Sequence, residues 1–355
     1  MNTISKETSE KPVTWLNTID RGILESGQLE QLIEAGVSGV TSEPIAFAHT
    51  VQYRSDYNNM VHKLDVAGKS PREIMEAVIF DDIQRTADYL HPVYSRTKGL
   101  DGYVSLDIDP RLERDSDEIQ AEGLRLAFDV DRVNVMIQIP ATPDGLEAMT
   151  RLIADGVSVN LTHVYTPETY LAAAQAYLNG IETFLHTLDI WRMSPAAVVS
   201  LPLHQLNKAV DQALERHPDK MSGQLRGQIG AAVGREVYGR FCDIFQGQKW
   251  EALVKEGAHL QRPLWASSST PVYPDTIRSL SPYRLNTYLH HEPPARPPQH
   301  SRKVAQTQLQ SLADFGIDLA TLEQNLQLEA IASLKAGFAR LEEDVLVKRD
   351  QLAVM

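Results

Sequence analysis

Short β-rich runs alternate with long amphipathic helical patterns along most of the chain. The pattern predicts strands over 14–18, 39–43, 102–109, 133–139, 157–164, 196–203, 262–267 and 284–288. Helix-length segments lie between them, for example 71–90, 116–128, 143–155 and 167–188. Strands separated by helices imply right-handed βαβ units, and eight of them within about 250–300 residues favour an α/β fold of the (β/α)8 TIM-barrel class over a doubly wound sheet.

Local signals agree with this pattern. The runs VNVMIQIP and VSVNLTHV are β-branched and apolar, as expected for strands covered on both faces. Thr142-Pro143 and Thr166-Pro167 each place a capping threonine before a proline at the first helical position. Four glycines lie three or four residues apart and predict one helix face that packs closely on a neighbour, because no strand precedes them as in a phosphate loop; they are Gly223, Gly227, Gly230 and Gly234.

The pattern divides the chain into four parts. Residues 1–13 form a polar N-terminal tail, and 14–289 form the barrel. Residues 290–302 are proline-rich and are interpreted as an irregular connection. Residues 303–355 are predicted to be a helical extension that packs on the barrel.

Composition narrows the class of protein. The 355 residues carry 34 basic and 47 acidic side chains, a net charge of −13, so a nucleic-acid partner is not expected. No apolar run approaches the ~20 residues that span a bilayer, and the N-terminus lacks the apolar stretch of a secretory signal. The single cysteine, Cys242, suits a reducing compartment. These features predict a cytoplasmic protein with a small-molecule partner and no membrane partner, and leave its oligomeric state open.

Polar side chains recur near the carboxyl ends of the predicted strands, where the reacting groups of a parallel barrel lie. A barrel interior normally takes branched apolar side chains, so this recurrence indicates a site. The residues are Asn17, Glu43, Asp107 with Asp109, Gln138, Asn160 with Thr162, and Ser200.

At these residues the chain resembles the transaldolase family, from Trp15 to the C-terminal helix. The resemblance is carried by TWLNTIDRGILESGQLEQLIEAGVSGVTSEPIAF, DGYVSLDIDP, VNVMIQIPATPDGLEAM, DGVSVNLTHVYTPETYLAAAQAYLNGIE and LWASSST. It implies a (β/α)8 barrel and descent from enzymes that move a dihydroxyacetone unit between sugar phosphates through a lysine Schiff base.

The chain departs from this family at its chemical residues. Gln138, in IQIPAT, stands where the family has the Schiff-base lysine, and an amide cannot condense with a ketone to form an imine. By the resemblance, Asn17 occupies the position of the family's acid/base aspartate, and Glu43 occupies that of the asparagine in its T-S/T-N-P motif. Asp107 occupies the position of the glutamate of the third strand. Three residues keep the family types: Asn160, Thr162 and Ser200.

The family's phosphate ligands also differ. Gln205 replaces the arginine after the sixth strand, and Pro271 replaces the basic residue after the seventh. A phosphate loses its bidentate and point-charge partners, so the substrate is expected to lack phosphate. None of the chain's twelve lysines is expected to reach the mouth of the barrel; Lys98 precedes the third strand, and Lys208 falls in the helix after the sixth.

The leading hypothesis is a repurposed enzyme for non-covalent acid/base chemistry (an isomerase, lyase or protonation-initiated cyclase) on a non-phosphorylated small molecule, in specialised biosynthesis or carbohydrate metabolism. Crowded or desolvated carboxyl groups donate protons at neutral pH, which makes Glu43 and Asp107 the candidate proton-transfer groups. Gln138 joins them as a candidate catalytic residue. The candidate substrate-binding residues are Asn17, Asn160, Thr162, Ser200 and His204. The alternative is a catalytically inactive pseudoenzyme that binds a metabolite or a partner protein.

No cofactor is expected. A minor alternative places Mg²⁺ among Asp107, Asp109 and Glu43, since the first two carboxylates point the same way on a strand. His204 is the histidine expected to reach the site. His163 is interpreted as a hydrogen-bonded histidine behind its strand. His290 and His291 are interpreted as solvated loop residues, while Trp15 and Tyr165 form either an aromatic wall or core.

Overall fold

A computed structural model describes residues 13–42, 50–108, 110, 115–187, 193–216, 220–266, 273–285 and 302–353. Eight parallel strands form a closed barrel in chain order, which confirms the (β/α)8 fold. The strands are β1 (Val13–Leu16), β2 (Val37–Val40), β3 (Val104–Asp107), β4 (Val135–Pro140), β5 (Val159–Thr162), β6 (Ala197–Leu201), β7 (Arg262–Trp265) and β8 (Ile277–Leu280).

Helices alternate with the strands and surround the barrel. Before β6 they are α1 (Arg21–Glu25), α2 (Gln28–Glu34), α3 (Asn58–Val66), α4 (Pro71–Thr97), α5 (Ser116–Val130), α6 (Pro143–Ala154) and α7 (Pro167–Thr187). After β6 they are α8 (Leu203–Leu214), α9 (Lys220–Leu225), α10 (Ile229–Phe245), α11 (Gln248–Lys255), α12 (Arg302–Gln310) and α13 (Leu319–Ala353). None of the helices in the described part of the chain is long and apolar enough to cross a membrane.

The barrel closes between β1 and β8, with Trp15 paired to Ser279. On the neighbouring strands β3, β4 and β5, the register aligns Asp107 with Gln138 and Gln138 with Asn160. Since alternate residues of a strand point inward, these three aligned residues all face the interior of the barrel near its carboxyl ends.

The eighth strand is misplaced in the sequence interpretation. The prediction of 284–288 is wrong, because the strand is Ile277–Leu280 and Arg284 lies in a helical turn. The buried Arg278 breaks the apolar character expected of a strand, which hid the run IRSL. Ser281-Pro282 is a helix-start signal, and the Ser281 hydroxyl accepts a hydrogen bond from the Arg284 amide at 3.4 Å.

The core has two parts. A large apolar cluster fills the space between the strands and the surrounding helices. A smaller one fills the inside of the barrel around Trp15, whose indole N–H donates to Asp101 at 2.8 Å. A Cβ at Gly39 would lie 2.3 Å from the Trp15 ring, so only glycine leaves room for it. Trp15 therefore belongs to the core and does not form a wall of the site.

Both predicted threonine caps are confirmed. Thr142 accepts from the Gly145 amide at 3.1 Å, and Thr166 accepts from the Thr169 amide at 3.2 Å. The glycine-rich segment is not one helix, because it is divided by Gly227, which has a φ of 71°. Close packing is found at Gly230, where a Cβ would lie 2.7 Å from the Leu203 carbonyl, but not at Gly223.

The C-terminal region is helical from Arg302 and covers the carboxyl-end face of the barrel. Helix α12 packs on α10, and α13 packs on α3, α4 and α8. Of the predicted proline-rich connection, residues 290–301 lie outside the described residues.

Candidate active site

The carboxyl ends of the strands open into a cavity of about 1420 Å³. The outermost inward-pointing residue at the end of each strand lies on its wall, and we call this set the mouth layer. Its members are Asn17, Thr41, Asp107, Gln138, Thr162, Ser200, Ala266 and Ser279. All but Ala266 are polar, although the positions of a barrel interior are usually apolar, and the apolar Leu264 of β7 also lines the cavity beneath them. The mouth layer is therefore built for a polar ligand.

Asp107 lies at the centre of a hydrogen-bond network. Its Oδ1 accepts from Gln138 Nε2 at 2.6 Å, and its Oδ2 accepts from the Ser42 hydroxyl at 3.3 Å. The carboxyl group is buried, at 6% exposure, yet faces the cavity. Gln138 and Ser42 therefore orient it, and it is in place to exchange a proton with a molecule in the cavity.

Gln138 links Asp107 to the next strand. Its Oε1 accepts from Asn160 Nδ2 at 3.1 Å, and the same Nδ2 donates to the Ser105 hydroxyl at 3.0 Å. The Ser200 hydroxyl donates to Asn160 Oδ1 at 2.8 Å. We call the set Ser42, Asp107, Gln138, Asn160 and Ser200 the polar network. Both ends of the Gln138 amide are thus fixed at the position that the family resemblance gives to a lysine.

The predicted substrate-binding residues occupy different depths. Asn17, Thr162 and Ser200 line the cavity, and so does His204 in the first turn of α8. Asn160 is fully buried and does not line it, so it positions Gln138 and Ser200 instead of contacting a ligand. Thr162 donates to the Ile139 carbonyl at 3.2 Å.

Two polar atoms of the mouth layer have no hydrogen-bond partner among the residues that the structure describes. They are Asn17 Oδ1 and Ser279 Oγ, on the adjacent strands β1 and β8. A buried polar atom without a partner costs about 1–3 kcal/mol. Both residues line the cavity, so this side of the mouth layer has hydrogen-bonding capacity that the described part of the protein does not use.

His163 does not fit its sequence interpretation. It lines the cavity just after β5, in a left-handed conformation with a φ of 61°. Its Nδ1 is buried and has no hydrogen-bond partner in the described part of the chain, so the expected hydrogen bond behind the strand is not seen there. Burial lowers the pKa of the imidazole to about 4, so the ring is neutral at pH 7.

The stability of the protein is therefore expected to depend on His163 between pH 6.5 and pH 4. In this range the unfolded chain binds a proton on this imidazole and the folded chain does not, so stability falls as pH falls, by at most about 1.4 kcal/mol per pH unit. Urea unfolding at several pH values should show a shallower dependence for His163→Gln. The exposed His186 serves as control, and an equal slope for His163→Gln and the wild type would contradict the assignment.

Side walls extend the cavity outward between α8 and α13. The α8 wall includes Gln205, Lys208, Gln212 and Arg216. The expectation that no lysine reaches the mouth is therefore wrong for Lys208, because the cavity follows this face of α8 beyond the strand ends. Gln205 Oε1 accepts from the Tyr165 hydroxyl at 2.6 Å. Burial raises the pKa of Tyr165, which keeps its hydroxyl group protonated. Tyr165 is fully buried and belongs to the core behind this wall.

Helix α13 forms the facing wall and is fixed to the barrel by two side chains. The Glu323 carboxylate accepts from the amides of Tyr165 and Thr166 at 2.8 and 3.1 Å, and from the hydroxyls of Thr166 and Thr169 at 2.8 and 2.6 Å. Gln327 Nε2 donates to the carbonyls of Ala141 and His163, both at 3.1 Å. These bonds join α13 to the start of α7 and the ends of β4 and β5.

Several candidate residues lie outside the described residues: Glu43, Asp109, Pro271, His290 and His291. Among the residues that are described, no group of three or more histidine, cysteine, aspartate or glutamate side chains is arranged to hold a metal ion. The minor Mg²⁺ hypothesis needs Glu43 and Asp109 and stays a prediction.

Sequence reasoning missed several residues of the site. Thr41 could have been predicted from the period-two alternation of β2, because it lies two residues after Gly39. Ser279 was missed because β8 was misplaced. The residues of α13 carried no usable signal, because their position over the barrel depends on the packing of a distant part of the chain. Arg216 and Arg284, which also line the cavity, were likewise missed.

A parallel eight-stranded barrel with a polar cavity at its carboxyl ends defines an enzyme fold of the TIM-barrel class. The family model described as transaldolase/fructose-6-phosphate aldolase matches residues 14–345, and the chain belongs to that family. A transaldolase from Thermobifida fusca is 38% identical over 77% of this chain and 76% of its own length. Transaldolases from Saccharopolyspora erythraea and Trichodesmium erythraeum are 35% and 30% identical, over 95% and 92% of both chains.

Proposed function

We propose that this member of the family catalyses acid/base chemistry without a Schiff base, as an isomerase, lyase or cyclase acting on a small molecule that lacks phosphate. Asp107 is the proton-transfer group, assisted by Glu43. Gln138, Thr162, Ser200, Asn17 and His204 bind or orient the substrate, and Asn160 holds the network in place.

The observation that carries the proposal is the fixed amide of Gln138. It donates to Asp107 Oδ1 at 2.6 Å and accepts from Asn160 Nδ2 at 3.1 Å. This interior position is therefore occupied by a hydrogen-bonded polar group that cannot form an imine. Among the strand residues of the mouth layer there is no lysine. Asp107 is left as an oriented carboxyl group that faces a large cavity.

The absence of phosphate is supported by the two altered family positions, of which Gln205 is described. Its side-chain oxygen accepts from Tyr165, and an amide supplies no positive charge to a phosphate. The second position, Pro271, carries no ionisable group. A phosphate bound as the resemblance implies would therefore lack both of its cations.

A second candidate function, metabolite binding without turnover, is favoured by one feature. Within the polar network, Gln138 and Asn160 form their hydrogen bonds with other protein side chains and need no ligand as a partner. This is typical of a network with a structural role. The unpartnered Asn17 Oδ1 and Ser279 Oγ supply a ligand-binding surface under either proposal.

Deuterium exchange tests proton transfer without knowledge of the natural product. Dihydroxyacetone, hydroxyacetone and erythrulose are incubated in D₂O with the enzyme, and NMR follows the loss of the C–H signals next to the carbonyl. In the exchange step the Asp107 carboxylate takes the proton from carbon, and the C–H electron pair moves toward the carbonyl oxygen to form an enolate. The protonated Asp107 exchanges its proton for a deuteron from D₂O and delivers that deuteron to the same carbon, which restores the ketone. We expect exchange with the wild type and a loss of at least about 100-fold with Asp107→Asn, the usual contribution of a positioned acid or base.

The exposed Asp155, outside the cavity, provides the matched control, and Asp155→Asn should exchange at the wild-type rate. Exchange that persists in Asp107→Asn would show that another group moves the proton. Binding of a probe without any exchange would favour the metabolite-binding candidate. A lysine adduct trapped by borohydride with fructose 6-phosphate and the wild-type chain would overturn the proposal.

A further inference from the structure

We propose that the cavity contains a second subsite, on the wall formed by α8, which binds a carboxylate group of the substrate through Lys208 and Arg216. The inference rests on the proposed function, because the remainder of the substrate lies against the mouth layer. The substrate is then a hydroxylated carboxylic acid, with its reacting carbon near Asp107 and its carboxylate between α8 and α13.

The spacing of α8 puts the relevant side chains on one face. Gln205, Lys208, Gln212 and Arg216 are three or four residues apart, and all line the cavity. The opposite face of the helix is buried against the barrel through Leu206, Val210 and Leu214. The polar face is therefore fixed toward the cavity by the packing of the apolar one.

The α8 wall is cationic although the chain is acidic. The chain has a net charge of −13, whereas the α8-wall residues that line the cavity include two cations, Lys208 and Arg216, and no carboxylate. Neither Lys208 nor Arg216 forms an ion pair with any residue that the structure describes. These two cations therefore attract an anionic group to this wall.

The facing wall suits a carbon chain with hydroxyl groups. Leu322, Leu326 and Ala330 of α13 alternate with Asn325 and Ser333 along the cavity. The rise from His204, at the mouth of the barrel, to Arg216 is about 18 Å along a helix. The side wall is thus long enough for a substrate of several carbons, with its hydroxyl groups in reach of Asn325 and Ser333.

A carboxylate fits this wall better than a phosphate. Phosphates carry nearly two charges and are favoured at helix N-termini, where the helix dipole adds to the attraction. Lys208 projects from the middle of α8, and Arg216 follows its C-terminal end, where the helix has a partial negative charge. This position favours an anion of lower charge, held by long side chains.

Pairs of ligands that differ only in the carboxylate test the subsite. Isothermal calorimetry compares glycerate with glycerol, threonate with threitol, and gluconate with sorbitol. For the wild type we expect at least one acid to bind at least tenfold more tightly than its alcohol. The advantage should disappear in Lys208→Gln/Arg216→Gln and weaken with added salt. Lys255→Gln, an exposed charge outside the cavity, should bind as the wild type does.

Equal binding of every acid and its alcohol by the wild type would overturn the subsite, and so would an unchanged advantage in the double variant. Tighter binding of sorbitol 6-phosphate than of gluconate, lost in the double variant, would overturn the choice of carboxylate. Because the readout is binding, these results stand whether or not Asp107 transfers protons in the exchange assay.

Discussion

Gln138→Lys is expected to form an imine with dihydroxyacetone that borohydride reduction traps, whereas the wild-type protein forms none at this position. The substitution places a primary amine on the interior of β4, next to Asp107, with which Gln138 is aligned in register. Gln138 Nε2 lies 2.6 Å from Asp107 Oδ1, so a lysine amine there would lie close to a carboxylate that accepts and returns protons. The half-buried position has access to the cavity.

Intact-protein mass spectrometry after reduction detects the adduct, and peptide mapping locates it. Gln138→Met is the matched control, because it keeps the length of the side chain without an amine. An adduct on Lys208 in the wild type would mean that the side wall supplies a nucleophile, and the proposal of non-covalent chemistry would fail. No adduct in a folded Gln138→Lys variant would mean that more than this one residue separates the site from Schiff-base chemistry.

Glu323→Ala is expected to lower the free energy of unfolding by about 3–5 kcal/mol, because it leaves buried donors without an acceptor. Glu323 is 6% exposed and accepts four hydrogen bonds around the first turn of α7. The amides of Tyr165 and Thr166 would lose their partner, and the helix would lose a negative charge at its N-terminus. The same change removes one of the two side-chain links between α13 and the barrel.

Urea unfolding followed by circular dichroism measures the effect, and limited proteolysis reports on α13. Glu343, an exposed carboxylate on the same helix, is the control, and Glu343→Ala should change stability by less than about 0.5 kcal/mol. Glu323→Gln should show an intermediate loss, since an amide keeps one accepting oxygen. A loss below about 1 kcal/mol for Glu323→Ala would contradict the role of this carboxylate as the link between α13 and α7.

The inward-pointing residues of the strands were predictable because a strand has a period of two. Once the strands were placed, Asn17, Asp107, Gln138, Thr162 and Ser200 followed as residues of one layer, and the structure places all five on the cavity wall. The same rule failed at β8, where the buried Arg278 and the short run IRSL concealed the strand. Ser279 was lost with it.

The depth of each side chain inside the barrel and its hydrogen-bond partners were not predictable from the sequence. Asn160 and Gln138 have similar patterns in the sequence, yet Asn160 is fully buried beneath the cavity and Gln138 borders it. His163 directly follows Thr162, but its left-handed backbone brings it to the cavity instead of behind the strand. These differences arise from the closure of the barrel and the geometry of strand ends, which a linear pattern does not contain.

The sequence by itself determined the class of fold, the family and the identity of the residues inside the barrel, because periodicity and side-chain type are local properties. It also gives position 138 an amide, where the family resemblance implies a lysine amine. Only the tertiary structure decided which side chains surround the Gln138 amide and the cavity beside it. It joined Asp107, Gln138 and Asn160 through strand register, placed Lys208 and Arg216 on the cavity, and packed α13 over the mouth through Glu323. Such contacts join residues far apart in the chain, and their partners are selected by packing and not by local sequence.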